Sequence, residues 1–212
     1  MESINVKKGT TTVGMVCKDG IILGADKRAT AGNLIVDKKS QKIFKITDKM
    51  AITMAGTVSD AQLLYKLIKA ELKLKQFRTE REPSVKESAN LLAGMIYSNI
   101  RKFSVIPGIS HFLLAGADLE GVHLYDLFAD GSITEIDDYV STGSGSVMAY
   151  GVLEVLYRKD LTLKEALPIT IKAINAAISR DTYTGEGIDV VSVTGEGVKI
   201  LFEKMLDTTI KV

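Results

Sequence analysis

Residues 9–30 read GTTTVGMVCKDGIILGADKRAT, two β-prone runs on either side of a Lys18-Asp19-Gly20 turn. TTVGMVC, the turn and IILGA predict a β-hairpin, because β-branched and apolar residues fill a pleated surface and the Asp-Gly step reverses the chain. The head of this stretch also carries chemistry. If the Gly9–Thr10 bond is cut, Thr10 becomes an N-terminal residue that joins a hydroxyl nucleophile to a base, its own α-amino group. Such an amine has an ordinary pKa of about 7.7–8.0, so part of it accepts a proton near neutral pH and no histidine is needed. GTTT taken alone reads first as a polar lead into a strand, and the rest of the chain has to decide between the two.

Working outward, Ile43 to Met54 is β-rich around Thr47-Asp48-Lys49 and ends at Gly56. Ser59 or Asp60 is placed to cap the next element, a helix. Leu64, Leu67, Ile68 and Leu72 recur at helical spacing towards Arg78, and Ser84-Val85-Lys86-Glu87 is a capping box opening a second helix through Leu92, Met95, Ile96 and Ile100. HFLLAGAD, VHLYDLF and SITEID form a predicted meander with turns at Leu119-Glu120-Gly121 and Ala129-Asp130-Gly131. Beyond Gly143-Ser144-Gly145-Ser146, Ala149, Leu153, Leu156 and Tyr157 mark a third helix. Thr162-Leu163-Lys164-Glu165 boxes a fourth, reaching Arg180, with Pro168 near its first turns. IDVVSVT and VKILFE close the chain as strands. Helix pairs separated by blocks of antiparallel strands predict a layered α+β sandwich with helices outside, whereas a doubly wound parallel sheet needs strand-helix alternation.

The 212 residues, 46% hydrophobic and 25% charged, fit one domain with a sizeable core. Twenty-seven Lys and Arg against 26 Asp and Glu leave a net charge of +1, which gives no field for nucleic acid or an anionic membrane. A single cysteine, Cys17, forms no internal disulfide and reads as a small buried hydrophobe. Met1–Lys8 is too short and polar for a signal peptide, and no apolar run approaches a membrane span, so a soluble, cytoplasmic protein is expected. His111 and His123 sit in strand-like runs, without HExxH or paired Cys/His spacing, so no metal is expected. GSGS at 143–146 fails the dinucleotide, Walker and GxSxG patterns, and reads otherwise as a helix cap. Asp26, Lys27 and Arg28 read by default as an exposed turn. Lys42 is either a surface lysine or, beside a buried carboxylate, a fixed positive charge.

The run at 9–30, Lys42 within SQKIFKI, Ala55-Gly56, GSGS and Arg180-Asp181-Thr182-Tyr183 together resemble, in order and over essentially the whole chain, the β subunits of archaeal-type 20S proteasomes. The resemblance implies a four-layer αββα sandwich of two antiparallel sheets flanked by helices, the N-terminal nucleophile hydrolase type. It divides the chain into an autocleaved propeptide, residues 1–9, and a single catalytic domain, residues 10–212. It implies a threonine endopeptidase acting through an acyl-enzyme on Thr10, with Lys42 lowering the pKa of the nucleophile and Asp26 orienting the lysine. Gly56 matches the oxyanion N–H donor, and Ser144 and Asp181 match the residues around the threonine amine. Thr184 stands where the family usually has serine, and Glu186 where it usually has glycine. Substrate adds as a β-strand along Thr30, Gly56 and Val58, and Met54 with Ala29 and Val58 lines a pocket for apolar or aromatic side chains.

The implied partners are β subunits in heptameric rings, α-subunit rings, an ATP-dependent unfoldase acting through them, and unfolded polypeptide substrates. No cofactor, nucleic acid or membrane partner is implied. Two relatives offer other readings. A non-catalytic ring subunit generally lacks the full threonine, aspartate and lysine set, and the bacterial two-ring peptidase is shorter and does not match KDGIILGADKRAT.

Overall fold

The computed structural model describes residues 9–207; of the expected propeptide, only Gly9 falls among them. Strand β1 (Thr11–Cys17) and strand β2 (Gly20–Asp26) form the expected hairpin. They lie inside a five-stranded antiparallel sheet, flanked by β11 (Tyr139–Gly143) on one side and by β12 (Gly187–Thr194) and β13 (Gly197–Met205) on the other. The second sheet has the order β10 (Ile133–Ile136), β9 (Gly121–Leu127), β8 (Ser110–Asp118), β6 (Met50–Thr53), β5 (Ile43–Thr47). A two-residue strand, β7 (Ala55–Gly56), continues along β8.

The sheets face each other. Ile21, Leu23 and Ala25 of β2 share a buried cluster with Leu113 and Ala115 of β8 and Leu124 of β9. The opposite faces carry helices. Helix α1 (Val58–Thr79) and helix α2 (Val85–Ile100) cover the second sheet, where Leu64, Ile68, Leu92 and Ile96 meet Ile52, Phe112 and Leu114. Helix α3 (Ser146–Leu156) and helix α4 (Leu163–Ile178) cover the first, where Leu153 and Ile174 meet Val13, Met15 and Ile22. The architecture is the four-layer αββα sandwich, and it explains the unbroken apolar run in β2: every residue of that strand is buried, because both of its faces are covered.

Both boxes cap as read. Ser84 Oγ accepts the Glu87 N–H and Glu87 accepts the Ser84 N–H, with the same reciprocity between Thr162 and Glu165. Two expectations fail locally, and one element went unread. Thr57, not Ser59 or Asp60, is the N-cap of α1, without a side-chain cap bond; Ser59 bonds Asp60, whose carboxylate accepts from Asn99. Helix α4 stops at Ile178, short of Arg180, where the Arg180 N–H bonds the Ala177 carbonyl three residues back and breaks the four-residue pattern. A small hairpin, β3 (Ala29–Ala31) and β4 (Leu34–Asp37), has strands too short and exposed to register as a pattern.

Helix α4 rests directly on β2 at Gly24, where a Cβ would come within 2.4 Å of Thr170 Cγ2 and 2.8 Å of Ile174 Cδ1. Gly24→Val should therefore lower stability by about 1–3 kcal/mol through overpacking, read from denaturant midpoints. A midpoint equal to wild type would contradict this seat.

Candidate active site

Asp26 ends β2 with its side chain fully buried. Its Oδ1 accepts the Thr11 N–H at 3.0 Å and Lys42 Nζ at 2.6 Å, while Oδ2 accepts the Arg28 N–H at 3.0 Å and the Gly185 N–H at 2.9 Å. One carboxylate thus fixes β1, the chain leaving β2, the turn before β12 and the lysine just before β5. Lys42 is 5% exposed. Burial lowers its pKa below the ordinary lysine value, opposed by the charges of Asp26 and Asp181.

Thr10 immediately precedes β1 and is buried. Its hydroxyl donates to the Gly9 carbonyl at 2.7 Å and its N–H donates to Ser144 Oγ at 3.3 Å. The Ser144 hydroxyl then donates to Asp181 Oδ2 at 2.5 Å. Thr184 donates to the same oxygen at 2.5 Å, which leaves its own oxygen to accept from Thr11 Oγ1 at 2.7 Å. The result is a continuous polar path from the nitrogen of Thr10 to Asp181 and back to β1.

GSGS proves to be a close-approach turn and not a side-chain cap. Gly145 is the N-cap of α3 with no side-chain bond, and Ser144 is committed to Thr10 and Asp181. A Cβ on Gly143, whose φ is +92°, would lie 1.9 Å from the Thr10 carbonyl oxygen, and one on Gly145 would lie 2.1 Å from Thr11 Oγ1. Gly56 is equally constrained, with φ +102° and a notional Cβ 2.2 Å from the Ile109 carbonyl oxygen.

Thr10, Lys42 and Gly56 line one depression of about 40 Å³ together with Ala29, Thr30, Met54 and Val58. Asp26, Ser144, Asp181 and Thr184 stand behind Thr10 through the bonds above. Every residue singled out in the sequence for the site therefore belongs to one neighbourhood, although Thr11 and Thr184, which bond each other, are 173 positions apart along the chain. A larger cavity, about 1150 Å³, lies between α1 and the β5–β6 and β8–β9 turns and shares no lining residue with the first. Its walls carry Lys66, Lys69 and Lys73, and its one serine, Ser84, is occupied in capping α2. Volume alone does not locate the chemistry.

One residue of the site, Arg28, escaped the sequence reading, and the Glu186 departure proves to be its partner. Arg28, read as exposed, lines the depression and pairs with Glu186 at 3.0 Å. Glu186 is buried in a left-handed conformation, φ +66°, which costs a non-glycine residue roughly 1–3 kcal/mol. The signal in the sequence was the two-residue spacing of Asp26 and Arg28, which on an extended chain puts both side chains on one side. Neither histidine lines the depression: His111 pairs with Asp126, and His123 with Glu135. Burial pushes the Cys17 thiol up to about 12, which removes it as a nucleophile. Among the described residues no cluster of metal-binding side chains occurs, and no helix is long and apolar enough to cross a membrane.

A family profile described as Proteasome subunit matches residues 6–193. The proteasome subunit beta of Ferroglobus placidus is 49% identical over 189 residues, covering 89% of this chain and 88% of that protein. Proteins of the same description from Archaeoglobus profundus and Methanocaldococcus fervens are 44% identical over 202 residues and 43% identical over 205. These alignments cover 95% and 96% of this chain, and 92% and 90% of the respective relatives.

The buried lysine has a pH signature. With its folded pKa below the ordinary 10.5, the folded chain holds fewer protons at Lys42 than the unfolded chain between those two values. The cost of burying the cation is therefore present below the folded pKa and disappears as pH rises through this window, so the Lys42 contribution favours the fold increasingly with pH. NMR titration of lysine-labelled protein should give Lys42 a midpoint below those of the surface lysines; a midpoint at or above them would contradict this.

Proposed function

The chain belongs to the proteasome subunit family as a β subunit of the archaeal type, and from that premise we propose that it is a catalytic subunit, a threonine endopeptidase of unfolded polypeptides. The observation that carries the reading is the position of Thr10: its nitrogen bonds to Ser144 of the Asp181 path, and Thr11, next to it, bonds to the Asp26–Lys42 pair. A non-catalytic ring subunit generally lacks the full threonine, aspartate and lysine set that converges here.

Maturation begins at the Gly9 carbonyl, beside which the Thr10 hydroxyl already lies. Attack by Oγ1 on the carbonyl carbon moves the Gly9 acyl group from nitrogen to oxygen, and the hydroxyl proton ends on the freed amine. Water then hydrolyses the ester, releasing residues 1–9 as an acid and leaving a domain that begins at Thr10. In turnover the free amine takes the hydroxyl proton, Oγ1 attacks the scissile carbonyl, the departing amine carries that proton away, and water then hydrolyses the acyl ester, releasing the acid and restoring the Thr10 hydroxyl. The Gly56 N–H stabilises the oxyanion, a donor worth about 2.7–4 kcal/mol in the transition state. Lys42 supplies positive charge beside the nucleophile, and Asp26 orients it.

Substrate pairs as an added strand along Thr30, Gly56 and Val58. Ala29, Met54 and Val58 give the depression an uncharged wall, and the flexible methionine opens it to apolar or aromatic side chains, a chymotrypsin-like preference. The same reading implies β subunits in heptameric rings between α rings, an ATP-dependent unfoldase acting through the α rings, and a cytoplasmic setting.

Intact mass of the assembled particle should show a chain beginning at Thr10, whereas Thr10→Ala should retain residues 1–9. Lys42→Ala should slow both maturation and peptide hydrolysis by about a hundredfold or more. Retention of the leader in wild type with its loss in Thr10→Ala would refute self-cleavage. Fluorogenic peptides with an aromatic residue before the cut should be hydrolysed faster than acidic ones, and equal rates would remove the proposed preference.

A further inference from the structure

Asp181 and Thr184 reach Ser144 and Thr11 only while the turn between α4 and β12 keeps its shape, and two side chains without a part in the proposed chemistry grip that turn. Arg28 Nη1 donates to the Thr182 carbonyl at 2.8 Å, and Nη2 pairs with Glu186 Oε1 at 3.0 Å. The arginine thus bridges residues 182 and 186 across Thr184. Between these contacts the guanidinium lies against Gly185, where a Cβ would come within 2.5–2.7 Å of three of its atoms. The backbone beneath is tied as well: the Arg28 and Gly185 N–H groups share Asp26 Oδ2, and the Lys27 N–H donates to the Gly185 carbonyl.

Glu186 holds φ +66° with its side chain 8% exposed. A glycine would take this conformation freely, whereas a glutamate stays there only when its surroundings over-determine it. What the side chain adds is an acceptor that fixes one arm of Arg28, leaving the other arm aimed at Thr182.

We propose that Arg28 and Glu186 form a positioning pair that holds the 181–187 turn in the shape aiming Asp181 and Thr184 at the Thr10 end of β1. The proposal rests on the catalytic reading of Thr10. Released from the pair, the turn drifts, Asp181 leaves Ser144, and the mature amine of Thr10 loses the negative charge that favours its protonated form.

Glu186→Gly tests this in the assembled particle, since glycine keeps the backbone conformation and removes only the anchor. The expected result is kcat lower by about tenfold with KM within about twofold. The acidic limb of the kcat/KM profile should move to lower pH, and the Gly185 amide should exchange hydrogen faster. Wild-type kcat, limb and exchange in this variant would overturn the pair. If Glu186→Gly does not assemble, Glu186→Gln keeps an oxygen acceptor without the charge and should move the same readouts by about two- to fivefold; wild-type values there would equally overturn it. Labelling of Thr10 by a threonine-reactive inhibitor separates the two levels. Unlabelled wild type would sink the catalytic reading, and Gly185 exchange would still decide the pair.

Discussion

The contact between Asp26 and Lys42, 2.6 Å long with both side chains almost wholly buried, is the interaction around which the Thr10 end of the sandwich is organised. A carboxylate and an ammonium taken out of water need each other, and removing one leaves the other stranded at a cost of roughly 3–5 kcal/mol. The carboxylate also has lone pairs to fill, and the chain fills them with backbone donors from three places: Thr11 at the start of β1, Arg28 just beyond β2, and Gly185 in the turn before β12. The ion pair therefore ties the first sheet to the segment leading into the second. It also sets where Thr10 stands, since Thr10 is covalently next to one of those donors.

Close approach is the second constraint. The Thr10 carbonyl oxygen occupies the space a Cβ on Gly143 would fill, the Thr11 hydroxyl does the same at Gly145, and the Ile109 carbonyl does so at Gly56. Three glycines thus let backbone and hydroxyl groups come within hydrogen-bonding distance where any side chain would hold them apart. The polar path through Ser144, Asp181 and Thr184 depends on this compactness. So does the depression lined by Thr10, Lys42 and Gly56, small because the two sheets and the 181–187 turn converge on it.

Some of this was legible along the chain. The β1–β2 hairpin announced itself because its turn chemistry and β-prone runs are local. The starts of α2 and α4 did so because a capping box is a four-residue device whose partners are adjacent. The α1 cap was misread, since Ser59 and Asp60 have suitable oxygens but Asp60 spends its carboxylate on Asn99, 39 residues away. The capping alternative for the GSGS turn fails for a related reason: the Ser144 hydroxyl is claimed by Thr10 and Asp181, from distant parts of the chain, as the family resemblance implied and local pattern did not. Arg28 looked like a solvated turn residue because nothing nearby in sequence shows that Thr182 and Glu186 will come to meet it.

By itself the sequence determined the alternation of strand blocks and helix pairs, and hence the layering, because periodicity and capping act within a few residues. It also supplied the threonine, aspartate, lysine and glycine in an order that identifies the family. Only the tertiary structure decided which oxygen each donor takes, that Lys42 is buried against Asp26 and not solvated, and that a glutamate sits left-handed beneath Arg28. Those outcomes depend on desolvation and on contacts between residues 15 to 173 positions apart. Such energies do not exist until the two sheets close on each other and exclude water.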